Sequence, residues 1–147
     1  MTHNWFECRV KFEKVMEDGS TKKVTEPYVF DALSFTEAEA RVTEEMTPYV
    51  NGEFIVSNIK RKNVSEVFFS NNPMDDKWFK AKVSFVSLDE STGPEKKSNS
   101  YMLVQANNIS AATDNLKKGM EGSMADYEIA SLSETKIMDV YAFSSKR

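Results

Sequence analysis

Apolar and polar residues alternate from the start of the chain. Phe6, Cys8, Val10 and Phe12 point one way, and Trp5, Glu7, Arg9 and Lys11 point the other. That period of two predicts a half-buried β-strand. Glu17-Asp18-Gly19-Ser20 is a turn signal, and a return strand runs from about Lys22 to Ala32. The period then changes. Phe35, Ala38, Val42, Met46 and Tyr49 recur at helical spacing and predict one apolar face, with Glu37, Glu44 and Glu45 off it as a solvated surface. Thr36-x-x-Glu39 reads as a capping box, with Phe35 as the staple before the cap and Pro48 at the helix end. An extended run follows from Glu53 to Phe69. It is interrupted at Lys60-Arg61-Lys62-Asn63, so it is either one bent strand or two strands.

The pattern then returns. Trp5 to Phe12 reappears as Trp78 to Phe85 at a spacing of 73 residues. Phe35, Ala38, Val42 and Met46 fall on Ile109, Ala112, Leu116 and Met120 at a spacing of 74. Phe54 to Ile59 matches Tyr127 to Leu132, and Val64, Glu66, Val67 and Phe68 match Ile137, Asp139, Val140 and Tyr141. The second copy has its turn at Asp89 to Pro94 and its return strand from about Lys96 to Ala106. Ser110 is its cap, Ile109 its staple, and Gly119 and Gly122 mark the helix end. Its extended run goes from Tyr127 to Phe143, interrupted at Ser133 to Lys136.

These observations predict an α+β fold of internally duplicated ββα-plus-strand units. The sheets are mainly antiparallel, with two helices and a pseudo-twofold relation. One compact domain, 1–147, is expected from two repeats, 5–68 and 78–141, joined by a polar linker, 69–77. A 64-residue copy buries only about 60% of its unfolded surface, so the copies are expected to share a core. With two strands after each helix the order is ββα-ββββ-α-ββ. Its middle stretch resembles the element order of the pseudo-symmetric single-stranded-DNA-binding folds of the Whirly type. Element order alone carries no function.

Charge and composition narrow the chemistry. A net charge of −4 and a pI near 5.1 argue against a strongly basic nucleic-acid binder, though not against a local basic face. Cys8, the only cysteine, is on the apolar phase and opposite Ala81 in the other copy, which fits a small buried hydrophobe. His3 is the only histidine and stands near the N-terminus, so no metal site and no cofactor are expected. Asp75-Asp76 and Asp89-Glu90 read as solvated loop residues. There is no glycine-rich phosphate loop, no histidine placed to activate a serine, and none beside Cys8. The chain is therefore not expected to be an enzyme, although its many carboxylates leave a paired-carboxylate site open. No stretch approaches the roughly 20 apolar residues that span a bilayer, and the chain opens without an apolar leader. A cytoplasmic location without membrane contact is expected.

What remains is the polar face of each first strand. Trp5, Arg9 and Lys11 share one side, as do Trp78, Lys80 and Lys82. A tryptophan beside two cations suits stacking on a base while holding a phosphate. Lys22-Lys23, Lys96-Lys97 and Lys60-Arg61-Lys62 would extend such a face. The other reading is structural: the tryptophans begin strands and pack under a loop or between the copies, and the lysines protect the sheet.

Longer strings carry a family resemblance. They are Lys23-Val24-Thr25-Glu26-Pro27-Tyr28, Asp31 to Arg41, and Met124-Ala125-Asp126-Tyr127-Glu128-Ile129-Ala130-Ser131, together with Trp5-Phe6-Glu7. With these the chain resembles a domain-of-unknown-function family of small proteins from Bacteroides-group bacteria, their phages and mobile elements. The resemblance implies an intracellular or phage-encoded protein in the host cytoplasm, and it transfers no site residues. Two functions are expected to compete. One is a non-enzymatic binder of single-stranded nucleic acid. The other is a protein-interaction or structural accessory protein with no nucleic-acid contact. Homo-oligomerisation is compatible with both.

Overall fold

A computed structural model describes residues 4–88 and 95–142. His3, the turn at Asp89 to Pro94, and Phe143 lie outside the described residues. The elements are β1 (Trp5–Val15), β2 (Thr21–Asp31), α1 (Phe35–Met46), β3 (Phe54–Lys62), β4 (Glu66–Phe68), β5 (Lys77–Leu88), β6 (Glu95–Ala106), α2 (Ile109–Gly119), β7 (Asp126–Glu134) and β8 (Asp139–Tyr141). The fold is α+β, with two helices and two mixed sheets among the described residues.

The chain divides into two compact units, Met1–Asn63 with Lys136–Arg147, and Val64–Thr135. In the first, the sheet order is β3-β1-β2-β8. β1 pairs antiparallel with β2 from Trp5 opposite Asp31 to Val15 opposite Thr21. The connecting turn uses Gly19 at φ 87°, a conformation open to glycine at no steric cost. β2 and β3 both run antiparallel to β1, so α1 is the crossover between two parallel strands. Phe6, Cys8, Val10 and Phe30 meet Ala38, Val42 and Met46 of the helix in one apolar cluster.

The second unit has the order β4-β6-β5-β7 and its own apolar clusters. Ala81, Val83, Met102, Val104, Leu116 and Met120 form one, and Phe79, Ala106 and Ala112 another. Its fourth strand comes from the other half of the sequence. After β3 the chain does not turn back. It passes into the second unit, where β4 runs parallel to β6 with Glu66 opposite Met102 and Phe68 opposite Val104. After β7 it returns, and β8 runs parallel to β2 with Tyr141 opposite Phe30. The interruption in each extended run is thus the passage between units, and each run is two strands in two different sheets. The ring of Tyr141 stacks on Phe30 at 4.7 Å, closing the edge of the first apolar cluster.

Two local expectations are corrected. The caps are Ser34 and Asn108, not Thr36 and Ser110. Ser34 Oγ accepts from the Glu37 N–H at 3.1 Å, and the Glu37 carboxylate accepts from the Leu33 N–H at 2.9 Å. The helix start is therefore Ser34-x-x-Glu37, three residues past the end of β2, and it resembles a capping box in which the glutamate reaches the N–H before the cap. The helix faces also hold fewer buried residues than their spacing predicts. Phe35 and Tyr49 are exposed, as is Ile109, because they stand at or beyond the helix ends, although Phe35 still sets its ring edge-on to Phe6 of β1 at 4.9 Å.

Candidate functional site

The predicted strand phase holds for the core side: Phe6, Val10, Phe79 and Val83 are buried, with Phe12 and Phe85 half-buried against the clusters. It fails for the tryptophans. Trp5 is 4% exposed and Trp78 is 1% exposed, so neither offers a ring face to a base. Phe69 packs edge-on to Trp78 at 5.5 Å, and the Thr135 hydroxyl donates to the Trp78 carbonyl at 2.9 Å. The polar phase of the sheets is covered near both tryptophans. Val29 and Leu103, on that phase of β2 and β6, are buried as well. A signal for this is present in the sequence. Val29-Phe30 and Met102-Leu103-Val104 are continuous apolar runs, the mark of a strand covered on both faces.

Two of the cations of the predicted faces, Arg9 and Lys80, are engaged within the fold. Arg9 is exposed, and its Nε lies 3.4 Å from the Glu7 carboxylate, which Lys62 Nζ approaches to 3.7 Å from the other side. Lys80 is exposed and holds its Nζ 5.0 Å from the centre of the Tyr101 ring, so its cation–π partner is the chain's own tyrosine. Lys11 is exposed and Lys82 half-buried. The structure therefore brings Arg9 and Lys11 to one surface, and Lys80 and Lys82 to another beside Tyr101, with neither predicted tryptophan ring open on either.

The buried polar groups are structural. Arg41, 6% exposed, donates to the carbonyl of Asp31 and to that of Ala142 at 3.2 Å, with its guanidinium carbon 5.5 Å from the Phe30 ring centre. It thereby clasps the end of β2 and the segment after β8. At the matching place in the second unit Asn115 donates to the Gln105 carbonyl at 2.9 Å and to the Asp75 carboxylate at 3.4 Å. Ser70 donates its hydroxyl to that same carboxylate. Asp75 is thus buried and partnered rather than a solvated loop acid. Burial, helped by the charge of Glu7, pushes the Cys8 thiol up to about 12, which keeps it protonated and unreactive at neutral pH.

Each unit has a groove past the C-terminal end of its helix. In the first, about 390 Å³, Phe12, Lys14, Glu26, Tyr28 and Tyr49 form much of the lining. Tyr28 donates to Glu26 at 3.0 Å, and Lys14 lies 3.5 Å from the same carboxylate. Burial, then the charge of Glu26, raises the Tyr28 phenol above its ordinary range. In the second groove, about 360 Å³, Phe68, Phe85, Met102, Gly119 and Met120 supply apolar lining. The two grooves share a place in the unit but no chemistry.

The sheet edges are the remaining feature common to both units. β8 and β4, at one edge of each sheet, are three residues long. At the other edge β3 and β7 have nine residues each, pairing only with β1 and with β5. One side of each therefore presents backbone N–H and C=O groups with no strand partner among the described residues. Each carries a bulge, at Ser57 and at Ala130.

Residues 4–143 match the family described as Domain of unknown function (DUF4494). The chain belongs to this family. No curated protein matches it. In this family member no helix among the described residues is long and apolar enough to cross a membrane. The described residues also contain no cluster of three or more His, Cys, Asp or Glu side chains able to hold a metal ion.

Proposed function

We propose that the chain is a non-enzymatic protein-interaction module that takes up its partner by strand addition at β3 and β7. One observation carries the reading: both units end on a nine-residue strand with one open side. Strand addition satisfies such an edge with main-chain hydrogen bonds, and alternate side chains select the partner. The competing reading, binding of single-stranded nucleic acid, loses its main support with the burial of Trp5 and Trp78. The net charge of −4 works in the same direction. An origin in Bacteroides-group bacteria, their phages or mobile elements, with action in the host cytoplasm, suits a small accessory protein of this kind.

A photo-cross-linking amino acid placed at Asn58 of β3 or at Ser131 of β7 tests the proposal in cells. Both positions are exposed on the edge strands, and Glu39 on the exposed side of α1 is the control. Protein adducts are expected from Asn58 or Ser131, unchanged by nuclease, and not from Glu39. Adducts from Glu39 alone, or edge adducts that vanish with nuclease, would refute it.

A further inference from the structure

We propose that the edge strands take up a second copy of the chain, β3 of one copy pairing antiparallel with β7 of the next. The inference rests on the strand-addition reading above and adds the identity of the occupant. The two edges carry opposite charge. β3, Phe54–Lys62, has the cations Lys60, Arg61 and Lys62 and no acid. β7, Asp126–Glu134, has Asp126, Glu128 and Glu134 and no cation.

The side-chain phases specify a register. Pairing with β1 puts Phe54, Val56, Ile59 and Arg61 on the core side of β3 and Lys60 and Lys62 on the other. Pairing with β5 puts Tyr127, Ile129, Leu132 and Glu134 on the core side of β7 and Asp126 and Glu128 on the other. In the antiparallel register that sets Lys62 opposite Asp126, Lys60 falls opposite Glu128. On the core side Ile59 then meets Ile129 and Val56 meets Leu132. Both phases are matched throughout, and the bulges at Ser57 and Ala130 fall at neighbouring steps. Shifting by two residues so that Lys60 faces Asp126 keeps the phases but leaves one of the two direct charge pairs; shifting the other way, with Lys62 facing Glu128, also leaves one and sets Ile59 of the core side opposite Ser131 of the other side. Glu134 falls opposite Phe54 and gains no cation in this register.

Pairing like with like does worse. β7 against a second β7, in the register that keeps its phases, sets Asp126 opposite Ser133 and Glu128 opposite Ser131 and makes no ion pair. β3 against a second β3, in the register that keeps its phases, sets Lys60 opposite Ile55 and Arg61 opposite Phe54 and makes no ion pair either. Charged edges ordinarily prevent sheet-to-sheet association. Here each edge gains no ion pair from its own kind and attracts the other. The partners the charged groups already have are loose. Lys62 lies 3.7 Å from Glu7, and Lys97 lies 3.5 Å from Glu128 with both side chains more than half exposed. Those groups remain available to a neighbouring copy. A contact between two different patches is heterologous, so each copy offers both halves and the assembly extends beyond a closed two-copy pair unless the geometry closes a ring.

Sedimentation velocity on the full chain, from micromolar to millimolar concentration at low salt, reads the assembly. Species heavier than a monomer are expected, and they should dissociate as salt rises. Lys60→Glu and Glu128→Lys should each weaken association about five- to tenfold, because each turns a directly opposed pair from attractive to repulsive. An equal mixture of the two variants should recover it. The carboxylate introduced into β3 of one variant then faces the ammonium introduced into β7 of the other, and the second contact is that of the unaltered chain. A monomer throughout the range, or a mixture no better associated than either variant alone, would overturn the inference. Protein adducts from Asn58 or Ser131 in cells, together with a monomeric chain in the centrifuge, would overturn self-pairing and leave strand addition standing.

Discussion

Gly119 sits at the last helical position of α2 without a positive φ, so helix propensity alone favours alanine there by as much as about 1 kcal/mol. Packing opposes it. A Cβ built on Gly119 would lie 2.5 Å from Phe68 Cδ1, 2.6 Å from Cε1 and 3.0 Å from Cγ. The last distance matters most, because Cγ is the root of the ring and cannot swing away without the side chain or strand moving. Phe68 belongs to β4, the three-residue strand contributed from the other half of the sequence. Overpacking of this kind costs about 1–3 kcal/mol. Gly119→Ala is therefore expected to destabilise by up to about 2 kcal/mol net of the full propensity gain. Urea unfolding followed by circular dichroism measures this as a lower midpoint at unchanged slope. In a Phe68→Ala background the obstruction is gone, and the same Gly119→Ala change should become stabilising. Stabilisation in the unaltered background would refute the packing of β4 against α2.

Three further outcomes follow. Cys8 should resist alkylation in the native chain near neutral pH and react promptly once unfolded; because its folded pKa is raised from 9.0 to about 12, its contribution to stability is present below pH 9 and lost progressively as pH rises towards 12. Fast native alkylation near neutral pH would contradict its burial. Arg41→Ala should cost about 2–4 kcal/mol, since it leaves the Asp31 and Ala142 carbonyls without their donor; a variant within about 0.5 kcal/mol of the original in chemical denaturation would show that the clasp contributes nothing. Adding single-stranded oligonucleotide at low salt should leave tryptophan fluorescence unquenched, because both indoles are buried, and strong quenching would return the stacking hypothesis.

Much of the fold can be read from periodicity. Alternation identifies β1 and β5, helical spacing identifies Ala38, Val42 and Met46 with their counterparts Ala112, Leu116 and Met120, and the order of two strands, a helix and an extended run, twice over, follows, while the number of strands in each extended run stays open. The caps are harder, since Ser34-x-x-Glu37 and Thr36-x-x-Glu39 overlap in one string. The end of β2 at Asp31 decides between them. Strand exchange leaves as its local trace only the interruptions at Lys60 to Asn63 and at Ser133 to Lys136, which read equally as bends in one strand. β4 and β8 are three residues each, and their partners, β6 and β2, are far away in sequence. The burial of Trp5 and Trp78 is one of two readings of the sequence, and strand phase does not choose between them because it describes one sheet and ignores what covers its other face. The charge difference between β3 and β7 is visible as Lys60-Arg61-Lys62 against Asp126 and Glu128, but it has meaning only once both strands are known to be edges.

The proposal that β3 and β7 are the working surfaces requires that their outer sides be open. Amide-resolved hydrogen exchange on the dilute chain tests this directly. Within Phe54–Lys62 and Asp126–Glu134 the amides turned towards β1 and β5 should be protected, and those turned away should exchange far faster, giving alternating rates along each strand. β1 and β5, flanked by strands on both sides, should be protected throughout their paired lengths. Uniform protection along β3 and β7 would mean that both edges are already covered, and would contradict strand addition at either.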